Sequence, residues 1–313
     1  MTSDHWSNLL DPRIRQFFFL GFTGDDRRPS TIDRIFNRQS SSTVDERAFG
    51  IGGIPSTGWN FEDSGRTQYT EPAQGFLKTF SHKEFTRGIM VKRDLIDDNL
   101  EPQALNAAGN LGDSAFRVKE KAAANIFINA FSAATTATLD DYGTDAIGAD
   151  SVALCSDAHD TSASDTTNLV NEGTLALSAA NLSTTRQLHM ALTDMNGDLL
   201  SVMPDELLVP PELEDTGLIA VRSAQDPNSA NNAINPQAGR FTPIVWHYLT
   251  DANSWFLMDS GLRRRSLLWY DRVPLELQGP DWDRDTQTAK WLAYMRWSCG
   301  WTDFRFVYGQ NPS

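Results

Sequence analysis

The sequence predicts an α+β fold in which one long helix is flanked by strands. Three observations predict it. From about Gln103 to Phe131, the residues Ala104, Ala108, Leu111, Ala115, Val118, Ala122 and Ile126 recur at three- and four-residue steps, the period of one helical face. Between residues 46 and 82, the glycines Gly50, Gly52, Gly53, Gly58, Gly65 and Gly75 punctuate spaced aromatics, a strand–turn–strand pattern. Near the C-terminus, Trp291, Ala293, Met295, Trp297 and Cys299 alternate with Leu292, Tyr294, Arg296 and Ser298, the two-residue period of a strand with one buried face.

The elements follow in chain order. Residues 1–45 read as an arm. Its apolar anchors (Trp6, Leu9, Leu10, Ile14, Phe17) are spread too thinly to bury one another, so the arm must lie on a larger body. Residues 46–82 read as a long hairpin carrying Phe49, Trp59, Phe61, Tyr69, Phe76 and Phe80. An isolated hairpin is marginal in water, so this one needs support. Residues 83–98 read as a strand entering a turn. Asn99 is placed to cap the long helix, with Pro102 in its first turn. That helix would be ~40 Å long at 1.5 Å per residue. Gly109 and Gly112 weaken it by up to ~1 kcal/mol each relative to Ala.

Residues 132–171 are rich in Ala, Thr, Ser, Asp and Asn and read as loops, with a hairpin the one regular element they could hold. Asn181 or Ser183 can cap a helix through Leu192, and Asn196-Gly197 is a turn signal. Glu206–Val209 reads as a strand stopped by Pro210-Pro211, followed by a helix to about Arg222. Residues 223–240 read as a loop. Thr242–Leu249 and Trp255–Met258 read as strands, as do Trp291–Cys299 and Phe304–Tyr308. No repeat of 20–50 residues is present, which excludes solenoids and propellers.

Composition narrows the function classes. The 313 residues are 40% hydrophobic and 22% charged, enough apolar content for a real core. The net charge of −14 repels phosphate, so sequence-specific nucleic-acid recognition is not expected. The two cysteines, Cys155 and Cys299, form no CxxC motif, and the pattern suits a reducing cytoplasm. Phe17-Phe18-Phe19-Leu20 is too short for a signal core or a membrane span, so a soluble, cytosolic product is expected.

Candidate chemistry is sparse. His159 lies between Asp157 and Asp160 with Cys155 nearby, a set that a metal site or a Cys/His pair would need. With no second histidine in helical reach, a hydrogen-bonded loop histidine is the expected role. Asp97-Asp98 and Asp140-Asp141 lack the spacing of a calcium loop and read as turn or cap residues. Gly50-Ile51-Gly52-Gly53-Ile54 is followed by neither Lys-Ser/Thr nor a helix start, so no phosphate cradle is expected. No catalytic residue, cofactor or metal is expected.

Six segments together resemble a known family. Phe85-Thr86-Arg87-Gly88-Ile89-Met90-Val91-Lys92-Arg93-Asp94-Leu95-Ile96-Asp97-Asp98-Asn99, before an Ala-rich helix, resembles the entry to the spine helix of Mu-type phage major head subunits. Leu154-Cys155-Ser156-Asp157-Ala158-His159 with Asn168-Leu169, and Leu177-Ser178-Ala179-Ala180-Asn181-Leu182, are similar to segments around the family's central helices. Leu207-Leu208-Val209-Pro210-Pro211, Trp255-Phe256-Leu257 and the ending from Gly300 to Gly309 keep the same order. The resemblance spans about residues 46–310.

The resemblance implies the Hong Kong 97-like capsid fold. Its parts would be an N-terminal arm (1–45), an extended hairpin loop (46–82), a peripheral domain on the spine helix (83–135 and 268–313) and an axial domain (136–267). It implies a major capsid protein without enzymatic activity, in the virion, self-assembling into hexamers and pentamers around phage DNA. The implied partners are a portal protein and a separate scaffolding protein; a decoration protein is left open. Lys78 and Lys83 lie near the hairpin, but no isopeptide cross-link is expected. Trp59, Phe61 and Tyr69, and the basic run Arg263-Arg264-Arg265, are the candidate inter-subunit contacts. Two readings compete: an encapsulin-like nanocompartment shell, and a cytosolic hydrolase using His159.

Overall fold

The computed structural model describes residues 10–23, 30–50, 53–54, 56, 59, 69, 75–97, 101–132, 138–139, 144–145, 147–162, 165–225, 234–283 and 285–312. The helices are α1 (Asp11–Thr23), α2 (Thr31–Ile35), α3 (Arg93–Asp97), α4 (Glu101–Ile128), α5 (Ala179–Met190), α6 (Glu214–Arg222) and α7 (Ser260–Ser266). The strands are β1 (Asn37–Ser40), β2 (Asp45–Phe49), β3 (Leu77–Ser81), β4 (Lys83–Lys92), β5 (Thr138–Leu139), β6 (Thr144–Asp145), β7 (His159–Ser162), β8 (Asp165–Leu169), β9 (Glu172–Gly173), β10 (Glu206–Val209), β11 (Thr242–Val245), β12 (Trp255–Met258), β13 (Leu267–Asp283), β14 (Thr288–Trp301) and β15 (Val307–Gln310).

Two sheets organise the chain. The first runs β1-β13-β14-β4, with β1 parallel to β13 and the other pairs antiparallel. Its centre is the β13–β14 ribbon, paired from Leu267↔Trp301 to Asp283↔Thr288. The alternation read at 291–299 is real burial: Trp291, Ala293, Met295, Trp297 and Cys299 all face the core. β13 was not expected, because Pro274, Gly279 and Pro280 interrupt its pattern. These residues sit where the ladder shifts register, between Val273 and Glu276 and between Gln278 and Asp281. A bulge is where a sheet tolerates a residue with no N–H.

The second sheet runs β11-β10-β12-β15-β9. Its central strands are apolar on both faces. Leu207, Val209, Trp255 and Leu257 pack with Leu182 of α5 and Ala220 and Val221 of α6. Leu208, Phe256 and Met258 point the other way, into the core of Phe127, Trp246 and Trp297. Burial on both sides explains their unbroken apolar runs. The C-terminal strand β15 pairs with β12 and β9, so residues 307–310 belong to this sheet and not with 268–306, where they were expected.

The long helix α4, 28 residues, lies along the first sheet. Ala122, Ala123, Ile126 and Phe127 meet Trp269 and Trp297 in one cluster. Ala104, Leu105, Ala108 and Leu111 meet Val91, Trp291 and Leu277 in another. The arm joins this second cluster: Leu10, Ile14 and Phe18 are buried in it. Gly109 and Gly112 thus have a packing role. A Cβ on Gly112 would stand 2.0 Å from the Phe18 carbonyl oxygen, and one on Gly21 would stand 2.1 Å from that of Gly109. The two helices touch backbone to backbone.

Several local expectations shift. Leu95 lies in the short helix α3, not in a strand. The cap of α5 is Ser178, whose hydroxyl accepts from the Asn181 N–H at 3.1 Å, and not Asn181 or Ser183. The segment 132–171 holds two antiparallel pairs, β5–β6 and β7–β8. Trp6, Leu9, Phe61, Ile51, Gly52, Asn99, Asp98, Asp140 and Asp141 lie outside the described residues.

Candidate assembly surfaces

The hairpin begins where β2 pairs with β3, from Asp45↔Ser81 to Phe49↔Leu77. Alternation decides how its base is held. Phe80 faces inward and packs with Leu268 and Tyr270 of β13, its ring 5.4 Å from that of Tyr270. Lys78 donates to the Ile147 carbonyl at 2.7 Å. His82 closes the root, its Nε2 3.0 Å from the Ser41 hydroxyl and its Nδ1 3.0 Å from the Ser298 hydroxyl. Burial, then the nearby Arg296, pull the His82 imidazole below its usual range.

Beyond the root the character reverses. Phe49, Leu77 and Ile54 are exposed, Trp59 is 83% exposed and Tyr69 is 94% exposed. The two aromatic candidates therefore do not pack across the hairpin or against the body. Burying a large apolar side chain yields roughly 1.5–3 kcal/mol. Large apolar side chains left exposed are the kind of surface that a partner covers.

The arginine run divides. Asp259 caps α7 by accepting from the Gly261 and Leu262 N–H groups at 2.8 and 3.0 Å. That cap turns Arg263 inward, where it grips Glu206 through two bonds of 2.7 and 2.9 Å and donates to the Ile35 carbonyl. Arg263 was expected at a subunit contact. It is instead held inside its own chain, between Glu206 of the second sheet and Ile35 of α2. Arg264 and Arg265 are exposed.

A second apolar surface lies on the first sheet. A groove of about 560 Å³ is lined by Ile89 and Met90 of β4, Gln278 of β13, and Trp291 and Leu292 of β14. Met90 and Leu292 are exposed in it.

His159 is structural in its surroundings. It is fully buried, its Nδ1 lies 2.6 Å from Asp150, its Nε2 lies 3.2 Å from the Leu154 carbonyl, and its ring stacks on Phe304. Both nitrogens face acceptors inside the core, so neither is available to a substrate. Burial pushes the Cys155 thiol well above its ordinary value, which disfavours a thiolate. Among the described residues, no group of three or more His, Cys, Asp or Glu could hold a metal ion, and no helix is long and apolar enough to cross a membrane.

Sequence reasoning missed two polar devices. Glu120 on α4 accepts from the Ser30 hydroxyl at 2.8 Å, the Thr31 N–H at 3.0 Å and the Trp246 indole at 3.0 Å. It ties the arm to the spine. The turn Asp194–Asp198 touches residues 53 and 56 of the hairpin. Asn196-Gly197 gave the turn, but nothing in the sequence signalled its distant partner.

The profile of the phage capsid protein family matches residues 77–309, most of the chain. The chain belongs to this phage capsid protein family. The family description is broader than the Mu-type head family and does not single it out. No curated protein matches. Among solved structures, the chain is similar to the capsid of the native GTA particle, with a TM-score of 0.56 and 12% identity over 93% of this chain and 92% of that one. It is also similar to the capsid of the cyanophage P-SCSP1u, with a TM-score of 0.55 and 9% identity over 93% of this chain and 90% of that one. The holo-SrpI encapsulin complex from Synechococcus elongatus PCC 7942 gives a TM-score of 0.51 and 10% identity, over 92% of this chain and 89% of that one. The fold is the α+β, Hong Kong 97-like capsid fold.

Proposed function

We propose that this chain is the major capsid protein of a tailed phage, assembling into hexamers and pentamers that close into an icosahedral head around DNA. One observation carries the reading beyond the family: the hairpin is fixed at its root by Phe80, yet displays Trp59 and Tyr69 almost wholly to water. A heterologous contact repeated around an axis closes into rings. Each ring multiplies a modest apolar contact by its number of copies.

In this reading the first sheet with α4 forms the peripheral domain, and the second sheet with α5 and α6 forms the axial one. Strand β15 then moves from the peripheral to the axial part. Arg264 and Arg265 face acidic groups of a neighbour, as suits a chain of net charge −14. A portal and a separate scaffolding protein complete the particle, which is built in the host cytoplasm. DNA is enclosed without sequence recognition. The likeness to an encapsulin complex supports a second reading, a nanocompartment shell. The contents of purified particles separate the two: DNA for a head, an enzyme for a compartment.

Deleting residues 50–75 tests the role of the hairpin. The expected product is a folded subunit that forms no shells in electron micrographs. Normal shells from that deletion would overturn the role.

A further inference from the structure

The hairpin is held in two ways that differ in kind. Its root is held by buried apolar packing. Farther out, the Ser56 N–H donates to the Asp198 carboxylate at 2.7 Å, and the Ser56 hydroxyl bonds the same group. Gly53 lies against the same turn: a Cβ there would stand 2.8 Å from Asp194 Oδ2 and 3.1 Å from Asn196 Nδ2. So the backbone of the hairpin rests on three side chains of its own subunit, Asp194, Asn196 and Asp198.

The turn is held by hydrogen bonds of its own that do not involve the hairpin. Asp194 Oδ1 accepts from the N–H groups of Asn196 at 2.8 Å and Asp198 at 3.0 Å. Gly197 takes the positive φ of 81° that the turn requires. Arg305, fully buried, anchors the approach by donating to the Thr193 carbonyl at 2.8 Å. The turn is a rigid acceptor, and the hairpin is a weakly attached donor. The contact is polar and solvent-exposed, and Ile54 beside it stays exposed. Breaking it exposes no core.

We propose that the Asp194–Asp198 turn is a latch that holds the hairpin on its own subunit before assembly, released when a second copy takes the hairpin. The inference rests on the reading that the hairpin serves contacts between copies. It adds that free subunits are restrained from using it. An exposed, charge-assisted hydrogen bond holds a segment with a factor of roughly fivefold.

Two full-length variants test it, with the hairpin deletion as the control on the underlying reading. Asp198→Ala removes the acceptor, and Ser56→Pro removes the donor without touching the turn. In dilute, unassembled subunit, exchange of the Ser56 amide should be roughly fivefold faster in Asp198→Ala, while the protected amides of α4 stay unchanged. Light scattering after raising concentration should show both variants nucleating shells faster than the parent. Unchanged exchange at the Ser56 amide overturns the latch. Faster exchange with unchanged or slower assembly overturns its restraining role. If the hairpin deletion still forms shells, the reading of the hairpin fails by itself, whatever the exchange shows.

Discussion

Replacing Glu120 with Ala is expected to lower subunit stability by about 3–5 kcal/mol. Glu120 is 2% exposed, and its two oxygens serve the Ser30 hydroxyl, the Thr31 N–H and the Trp246 indole N–H. Burial raises the carboxyl's pKa, and these bonds pull it back. Ala leaves the buried Trp246 N–H and the half-buried Thr31 N–H unsatisfied, each costing ~1–3 kcal/mol, and removes a further bond to a hydroxyl. Folded subunits of this size hold only ~5–15 kcal/mol in total, so the loss is large. Glu120→Gln separates hydrogen bonding from volume. Its amide oxygen can still accept, but its NH₂ must face one of the donors, so about half the loss is expected. Urea unfolding of the unassembled subunit gives the free energies. Limited proteolysis shows whether residues 30–40 loosen first. An Ala variant within ~0.5 kcal/mol of the parent, or arm residues no easier to cut, would refute the idea that this carboxylate ties the arm to the spine.

Three further outcomes are expected. Gly112→Ala should destabilise despite the ~1 kcal/mol that Ala contributes to a helix, because the new Cβ meets the Phe18 carbonyl at 2.0 Å; a rise in melting temperature would contradict this. Arg263→Ala should cost about 3–5 kcal/mol, since it strands the buried side of Glu206 and the Ile35 carbonyl, and urea unfolding measures it. Burial holds the His189 imidazole down to about 4, from 6.5, so it folds neutral. Its contribution is therefore complete above pH 6.5 and is lost as pH falls from 6.5 to 4, amounting to about 3 kcal/mol. His189→Gln, which can still donate to the Arg305 carbonyl, should flatten the stability profile in that window; an unchanged slope would contradict the assignment.

Much of the first sheet and the spine was legible because one-sided burial leaves a period in the sequence. The faces of 291–299 and of α4 were read from spacing, and both are buried as read except Val118, which is half-buried. β13 was illegible because bulges and prolines break its period without ending its pairing. Gly109 and Gly112 looked like weaknesses of a helix. Their purpose depends on α1, some ninety residues earlier, and no local pattern reports a close crossing. The surfaces split in the same way. Trp59 and Tyr69 could be singled out as aromatics on a hairpin, and they are exposed. Arg263 could not be told from Arg264 and Arg265, because inward orientation is set by the Asp259 cap and by Glu206 on another strand. The capping of α5 by Ser178 was missed within a run of several competent polar residues.

The central claim is that copies of this chain complete one another into a closed container. Electron microscopy of the purified full-length protein, across a concentration series, tests it most directly. The expected images are hollow, closed particles of uniform diameter, with six- and five-fold clusters in their walls. A monodisperse 34.8 kDa species at every concentration, with no rings or shells, would contradict it.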